Sequence, residues 1–250
     1  ATVYVEVGQL IDWATVPAPV VQQLYFPYLD GPRWIQAVVG EDPLTTFGAY
    51  GPAVDALFRR PPQSTSQILH PEKYLANVQP QPVELPELAS VLGDDWHVLR
   101  RQVMGELEHR RLLGRYLPQD DADAGAAGWA GNRLVVLVNG ADELASVSAT
   151  RWDDADAAGA FVAAYRQWAA ARDDAKLVWA EAGRLIWEAP DGALLLEQRG
   201  DLTVLINSPT VAIAEALADR ARAGRLAAVV PSPLRALACW RPLRQGACPW

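Results

Sequence analysis

One pattern constrains the fold more than any other: two strands joined by a tight turn and followed by a helix. It first occurs where residues 133–138 and 144–150 read as strands around Asn139-Gly140, a dipeptide typical of hairpin turns. Asp153 can then open a helix. The predicted buried residues of that helix, at helical spacing, are Phe161, Ala164, Tyr165 and Trp168. A hairpin followed by a helix predicts an α+β fold, because each can cover the apolar side of the other.

The same unit recurs further along the chain. Residues 193–198 and 202–206 form a second predicted hairpin, and Ser208 caps a second helix. Two further strands, 176–180 and 184–188, lie between the two units. The simplest architecture is a mostly antiparallel sheet with both helices on one face.

The first half of the chain carries helical patterns interrupted by prolines. Within residues 17–39, Pro27 and Pro32 predict a break into several short helices. Residues 95–117 have the strongest helical spacing of this half and predict one long helix. The sequence therefore predicts three regions: a mostly helical region 1–128, an antiparallel α+β region 129–226 and an irregular tail 227–250.

A crowded polar segment follows the prolines at 61 and 62. Ser64 and Gln67 have the spacing of a capping box, and Pro71 predicts that the helix ends at His70. Two interpretations stay open for the residues that follow. They form either a corner between helices with solvated charges or a polar cluster that faces a cleft. The candidate residues of that cluster are His70, Glu72, Lys73 and Tyr74.

Charge and cysteine content exclude some classes of function. The net charge of −8 argues against nucleic-acid binding, because a polyanion binder needs a basic surface. The sequence contains no run of eighteen apolar residues, so it predicts no membrane-spanning helix. Cys239 and Cys248 are a candidate disulfide, which would indicate an oxidising compartment, although two free thiols are the alternative. Because the chain begins at Ala1, we expect an upstream segment or a lipid anchor.

The usual catalytic motifs are missing from the sequence. Its three histidines, His70, His97 and His109, form no His-Glu-x-x-His pair, and no Gly-x-Ser-x-Gly or phosphate-binding loop occurs. Glu106 and His109 have the spacing of a di-iron helix, but no second pair accompanies them, which favours a solvated helix face. We therefore predict no catalytic residue, no metal ligand and no cofactor.

Ten tryptophans leave room for a binding function. Exposed tryptophan rings stack on sugars and anchor partner proteins. The predicted helices and strands explain five of them least, namely Trp13, Trp34, Trp129, Trp240 and Trp250. Trp34 and Trp129 are the positions chosen to test for a cell-wall glycan site.

The sequence also resembles a family of exported bacterial proteins, many of them from Chloroflexi. The resemblance covers roughly residues 20–170, and its main segments are 25–31, 61–74, 105–107, 127–133 and 150–157. The family often has Gly-Asp-Arg where this chain has Gly131-Asn132-Arg133. Its members are described as zinc-dependent peptidases whose His-Glu-x-x-His helix lies upstream of the matching region. No catalytic or metal residue of the family therefore maps onto this chain.

Three functional expectations follow. The first is a non-catalytic extracytoplasmic protein, anchored to a membrane or not, that serves as an accessory, scaffold or binding module for another protein or a larger complex. The second, implied by the resemblance, is the C-terminal part of a secreted zinc metallopeptidase. The third is a cell-wall glycan binder.

Overall fold

The computed structural model describes residues 18–40, 50–172, 174–181 and 183–223, together with Val16. The α-helices are α1 (Ala18–Val39), α2 (Tyr50–Arg59), α3 (Thr65–Leu69), α4 (Pro71–Leu75), α5 (Glu106–Leu113), α6 (Gln119–Ala126), α7 (Ala155–Ala170) and α8 (Val211–Ala223). The strands are β1 (His97–Gln102), β2 (Trp129–Val138), β3 (Leu144–Trp152), β4 (Lys176–Glu181), β5 (Arg184–Ala189), β6 (Gly192–Arg199) and β7 (Leu202–Ser208).

The strands form one antiparallel sheet in the order β1-β2-β3-β7-β6-β5-β4. Both predicted hairpin units are present, as β2–β3 followed by α7 and β6–β7 followed by α8. They meet in the middle of the sheet, where β3 pairs with β7. The predicted α+β class, with N-terminal helices before an antiparallel sheet, is confirmed.

One face of the sheet, which we call the apolar face, has a centre of apolar side chains, with the buried carboxylate of Glu197 opposite Val204 at the side of it. Helix α8 packs on it, and so does the irregular segment 83–96 that precedes β1. Its central residues are Val135, Leu137, Val147, Leu195, Val204 and Ile206, each less than a tenth exposed. Burying this much aliphatic surface is the main contribution to folding in a domain of this kind.

The other face, which we call the mixed face, combines apolar and polar side chains. Helices α5, α6 and α7 cover one end of it with an aromatic cluster around Trp152, Phe161 and Tyr165. The helices that follow the two hairpins, α7 and α8, therefore lie on opposite faces, and the expectation of both on one face was wrong. Strand alternation explains this, because Leu194 and Leu196 join the cluster under α7 while Leu195 joins the cluster under α8.

Helix α1 runs unbroken through Pro27 and Pro32, so the predicted split into short helices was wrong. A proline removes one helical hydrogen bond, but packing at either side can keep the helix continuous. Trp34 provides such packing, since its buried ring meets the Tyr74 ring edge-on at 5.0 Å.

The predicted helix over 95–117 was also wrong. This stretch contains strand β1, then a short loop, then helix α5 from Glu106 to Leu113. Pairing of β1 with β2, with His97 opposite Val138, overrides the local helical spacing. The mostly helical region therefore contributes one strand to the sheet.

Two predictions concern residues outside the described part of the chain. These are the irregular tail 227–250 and the candidate disulfide between Cys239 and Cys248. Among the described residues, none of the helices combines the length and apolar character that crossing a bilayer requires.

Candidate functional site

The segment around Ser64 folds as its sequence indicates. The backbone N–H of Gln67 donates to Ser64 Oγ at 3.3 Å, and α3 ends at His70. The return bond differs in one detail, because the Gln67 side chain accepts from the N–H of Gln63 rather than from that of Ser64. The cap still satisfies donors at the start of the helix that would otherwise be unpaired.

The four candidate cluster residues contact separate parts of the protein. His70 Nε2 lies 2.5 Å from Glu106 Oε1, while Lys73 Nζ donates to a carboxylate oxygen of Asp153 at 2.6 Å. The Tyr74 hydroxyl donates to the carbonyl oxygen of Arg60 at 2.7 Å, and its ring is buried. Glu72 is exposed, with a carboxylate oxygen 3.6 Å from His70 Nδ1. The segment therefore joins the N-terminal helices to the sheet.

The pair of His70 and Glu106 contains a buried carboxylate. Glu106 is 3% exposed, and its second carboxylate oxygen has no hydrogen-bond partner among the described residues. The hydrogen bond with Glu106 raises the pKa of His70, against the opposing effect of partial burial. A protonated His70 is thus the form that best compensates the buried carboxylate.

Burial of Glu106 and His109 corrects the expectation of a solvated helix face. His109 is 2% exposed and lies beneath α5 against the mixed face of the sheet. Its Nδ1 lies 2.8 Å from the carbonyl oxygen of Gly105 and therefore carries the proton. Its Nε2 lies 3.0 Å from Thr150 Oγ1 and accepts from that hydroxyl.

A buried polar network continues from this histidine across the sheet. The amide nitrogen of Asn132 donates to Thr150 Oγ1 at 2.8 Å and to Ser148 Oγ at 2.9 Å. Its amide oxygen accepts from the backbone N–H of Met104 at 2.8 Å, which fixes the orientation of the side chain. Each hydrogen bond thus has a defined direction, and Ser148 is the last residue of the network.

Burial keeps the histidine of this network neutral. Desolvation lowers the pKa of His109 to about 4. Thr150 is 2% exposed, so the histidine and its hydroxyl partner are both closed to solvent. This arrangement stabilises the sheet and offers no accessible base for general acid–base catalysis.

Beyond this network the mixed face is uncovered and forms a groove. The groove has a volume of about 820 Å³, inside the range of about 300–1,000 Å³ that is usual for ligand sites. Its floor alternates between apolar and polar side chains, namely Leu134, Val136, Ser146, Ser148, Leu205 and Asn207. Its wall is the last part of α7, including Tyr165 and Trp168.

Trp168 is the side chain in the wall with an unused polar group. Its ring stacks on Tyr165 at a centroid distance of 4.9 Å, and the residue is 5% exposed. Its Nε1–H has no hydrogen-bond partner among the described residues. A buried indole normally finds an acceptor, so this donor is a place where a ligand could add a hydrogen bond.

The mouth of the groove is acidic. Asp142 and Glu143 reach it from the turn between β2 and β3, and Asp191 reaches it from the turn between β5 and β6. Among the described residues of the lining, Arg172 is the one with a basic side chain, and it is already paired with Asp174 and Asp191 at 3.1 Å. Two carboxylates of the mouth are therefore free of a basic partner within the lining, which favours a cationic group there.

The histidines do not converge on a common point. His70 pairs with Glu106, His109 binds Thr150, and His97 begins the outer strand β1. No group of three or more potential metal-binding side chains occurs among the described residues.

Trp34 and Trp129 do not offer exposed faces for sugar stacking. They are 7% and 3% exposed, and Trp129 Nε1 donates to the carbonyl oxygen of Met104 at 2.9 Å. The Trp34 ring instead packs on Tyr74 of α4, and the Trp129 side chain belongs to the cluster under α5, α6 and α7.

Comparison with known proteins gives a match between part of the chain and a family model. Residues 95–218 match the model of a domain of unknown function (DUF8575). The matched region begins just before β1 and ends within α8, so it contains the whole sheet, the buried network and the groove. No curated protein matches the chain, and no solved structure matches it.

Sequence reasoning missed the groove and the network behind it. The sequence feature that could have indicated them is the regular alternation on β3, where hydroxyl side chains at 146, 148 and 150 alternate with apolar residues at 145, 147 and 149. Such alternation indicates a strand with one core face and one polar face. The histidine partner could not be found this way, because it lies 41 residues from Thr150 in the chain.

Proposed function

We propose that this protein is a non-catalytic binding module that serves as an accessory or scaffold for a partner protein. The groove on the mixed face carries the proposal, since it is a large concave surface with a floor of alternating apolar and polar side chains and an acidic mouth. We assign the buried histidine and hydroxyl groups behind the groove a structural role rather than a catalytic one, because they are closed to solvent.

The chemistry of the groove favours a peptide segment as its ligand. Leucine and valine side chains of the floor suit apolar side chains, while the neighbouring serine and asparagine side chains can bond to a peptide backbone. The carboxylates of Asp142, Glu143 and Asp191 suit a lysine or arginine at one end of the segment. The proposed ligand is therefore an apolar segment flanked by a basic residue.

Selection from a random peptide library on the purified chain tests this proposal. Enriched peptides are expected to combine two or more large apolar residues with lysine or arginine. Ser146→Trp places a large ring in the groove and should abolish binding, whereas Ser90→Trp makes the same change at an exposed site outside the groove. Peptides that bind both variants equally well would contradict the proposal.

The acidic mouth has its own test. Asp142→Asn combined with Asp191→Asn should weaken binding of a selected peptide roughly tenfold and reduce its salt dependence. Asn tolerates the positive φ of 61° at position 142, so the first change keeps the turn. Asp120→Asn combined with Glu215→Gln is the matched control, because it removes two exposed carboxylates that are not part of the lining.

Two further measurements separate this proposal from its alternatives. Stoichiometric zinc in the purified chain, or peptidase activity, would contradict a non-catalytic role and favour the peptidase interpretation that the family resemblance suggests. Binding to cell-wall glycans that survives Ser146→Trp would favour a glycan site elsewhere on the protein.

We also propose that the protein acts outside the cytoplasm, which the resemblance to exported proteins supports. A disulfide between Cys239 and Cys248 would fit an oxidising compartment. The intact mass should then be lower than that of the reduced chain by about 2 Da, the two hydrogens lost on pairing. Labelling of both thiols without prior reduction would argue against the disulfide.

A further inference from the structure

Strand β4 lies at one edge of the sheet and is exposed along its whole length. Each of the six residues Lys176–Glu181 is exposed, whereas Leu185, Ile186 and Trp187 of the neighbouring β5 are buried. The exposed fractions of Leu177, Val178 and Trp179 are 41%, 41% and 50%. Its outer side has no strand partner among the described residues.

An edge of this kind is a template for pairing with another strand. Free backbone N–H and C=O groups can continue the ladder, and adjacent apolar side chains gain burial when it does. Three consecutive exposed apolar residues are unusual on an edge strand unless another surface covers them.

The sequence of β4 is complementary to itself when read in the opposite direction. In an antiparallel pair related by a two-fold axis, Lys176 lies opposite Glu181 of the second copy, and Glu181 lies opposite Lys176 of the second copy. Leu177 then faces Ala180, and Val178 faces Trp179, so charges meet opposite charges and apolar residues meet apolar residues. We propose that a second copy of this chain pairs with β4, giving a continuous sheet of fourteen strands from the two seven-stranded sheets.

Other registers lose this complementarity. A shift by two residues in one direction places Lys176 opposite Trp179, and a shift in the other direction places Glu181 opposite Val178. Either shift removes both ion pairs and leaves a charge against an apolar side chain. The two-fold register is therefore the one that the side chains specify.

Ion pairs link the strands and the helix that lie next to β4. Trp179 lies beside a cluster of three arginine side chains around Glu197, which is 8% exposed. Arg199 and Arg222 bond to Glu197 at 2.6 Å and 3.1 Å, and Arg184 lies 3.4 Å from it. These contacts link β5, β6 and α8, so pairing needs little ordering of the sheet behind β4.

The pairing of β4 with β5 is irregular between Leu177 and Trp179. Such an irregularity increases the local twist of the strand. It lies next to the proposed two-fold axis, so both copies carry the same twist at the same place. This inference goes beyond the proposed function and does not depend on the groove.

Charge reversal tests the proposal on the full chain. We expect light-scattering and sedimentation measurements to show a wild-type dimer when the concentration is raised to about 100 µM, a dissociation constant in the range of weak interfaces. Lys176→Glu or Glu181→Lys alone should weaken the dimer about tenfold, because each places like charges opposite each other at both ends of the pair. The double variant Lys176→Glu/Glu181→Lys should recover wild-type affinity.

Mixing the two single variants distinguishes contacts between two copies from contacts inside one copy. Lys176 and Glu181 also lie opposite Glu188 and Arg184 of the same chain, so a single reversal disturbs contacts inside one copy as well. An equimolar mixture should form heterodimers with restored affinity, which internal contacts cannot explain. Asp120→Lys, at an exposed position on α6, is the control for a charge change alone.

Trp179→Lys provides an independent check, since it places a charge in the centre of the interface and should leave a monomer. Circular dichroism should show that the variants keep their fold, because the changed side chains are exposed. A monomeric wild type at about 100 µM would overturn the proposal. So would single reversals that dimerise as tightly as the wild type, or a mixture that associates no better than its components.

Discussion

Val204 and Leu205 are neighbours on β7, yet their side chains enter two different environments. Val204 is 5% exposed and lies among the aliphatic residues under α8. Leu205 is half-buried and lines the groove together with serine and asparagine side chains. The same alternation runs across the central strands, so one sheet presents a closed core on one face and a partly open surface on the other.

The difference shows where this fold keeps its polar groups. The aliphatic centre of the apolar face needs no hydrogen bonds between side chains, and its stability comes from burial. The buried carboxylate at the side of this centre, Glu197, is paired with arginine side chains. The mixed face buries Asn132, Ser148 and Thr150, which must be paired with each other and with His109. Burying such polar groups costs more free energy than burying apolar side chains. This cost is consistent with a role of the mixed face other than stability.

The largest predicted contrast comes from placing the same charge on each side of β7. Ile206→Asp buries a carboxylate between Val147 and Leu195, its neighbours on the adjacent strands, and should reduce the free energy of unfolding by about 4 kcal/mol or more. Leu205→Asp should cost about 1–2 kcal/mol, because its carboxylate reaches the solvent of the groove. Chemical denaturation of both variants measures the contrast, and equal losses would show that the two faces are equally closed.

The second contrast depends on pH. The pKa of His109 falls to about 4 in the folded protein, below the value of about 6.5 expected in the unfolded chain. The unfolded chain therefore binds more protons between these values, and stability is lost as the pH falls from 6.5 towards 4. The loss amounts to about 3 kcal/mol in total.

His70 acts in the opposite sense. Its pKa is raised by Glu106, so its contribution is complete below the unfolded value and is lost as the pH rises through the folded value. Denaturation from pH 4 to pH 8 should show that His109→Gln flattens the acid side of the profile. In the same experiment His70→Gln should flatten the side above pH 6.5. A profile unchanged by His109→Gln would contradict the buried neutral histidine.

A third prediction concerns the polar network alone. Asn132→Ala leaves the hydroxyl groups of Ser148 and Thr150 without their donor and should cost about 2 kcal/mol. Asn207→Ala, on the same face but exposed, should change the stability by less than about 0.5 kcal/mol. Similar losses in the two variants would show that the network contributes nothing beyond the loss of an amide.

The smallest predicted effect is at Ser146. Ser146→Ala removes a solvated hydroxyl from the groove and should alter stability by less than about 0.5 kcal/mol. The reverse change on the apolar face, Ala149→Ser, buries a hydroxyl at a fully enclosed position and should cost about 1–3 kcal/mol. Thermal unfolding of both variants is sufficient, and a neutral Ala149→Ser would mean that a polar partner is available on the apolar face.

Local signals in the sequence account for most of the sheet. The Asn139-Gly140 turn and the alternation around it predicted β2 and β3, because a hairpin is specified by its own residues. Strand β1 was missed because its pairing with β2 joins positions 41 residues apart, as with His97 and Val138. The helical spacing of Trp96, Leu99 and Val103 was misleading, since Leu99 and Val103 are exposed.

The groove was not predictable from the same signals. It results from where α7 ends and from which face each helix covers, and both depend on tertiary packing. The alternating hydroxyl residues of β3 indicated a polar face, but they could not indicate that this face would be left partly uncovered.

The most direct test of the two-faced sheet is a nuclear magnetic resonance titration with a peptide selected for binding. We expect the largest shifts at Val136, Ser146, Leu205 and the Nε1–H of Trp168, which line the groove. The methyl groups of Ile206 and Leu195, on the apolar face, should stay unchanged. Shifts that cluster away from the groove while Trp168 stays unchanged would contradict the assignment of the mixed face as the binding surface.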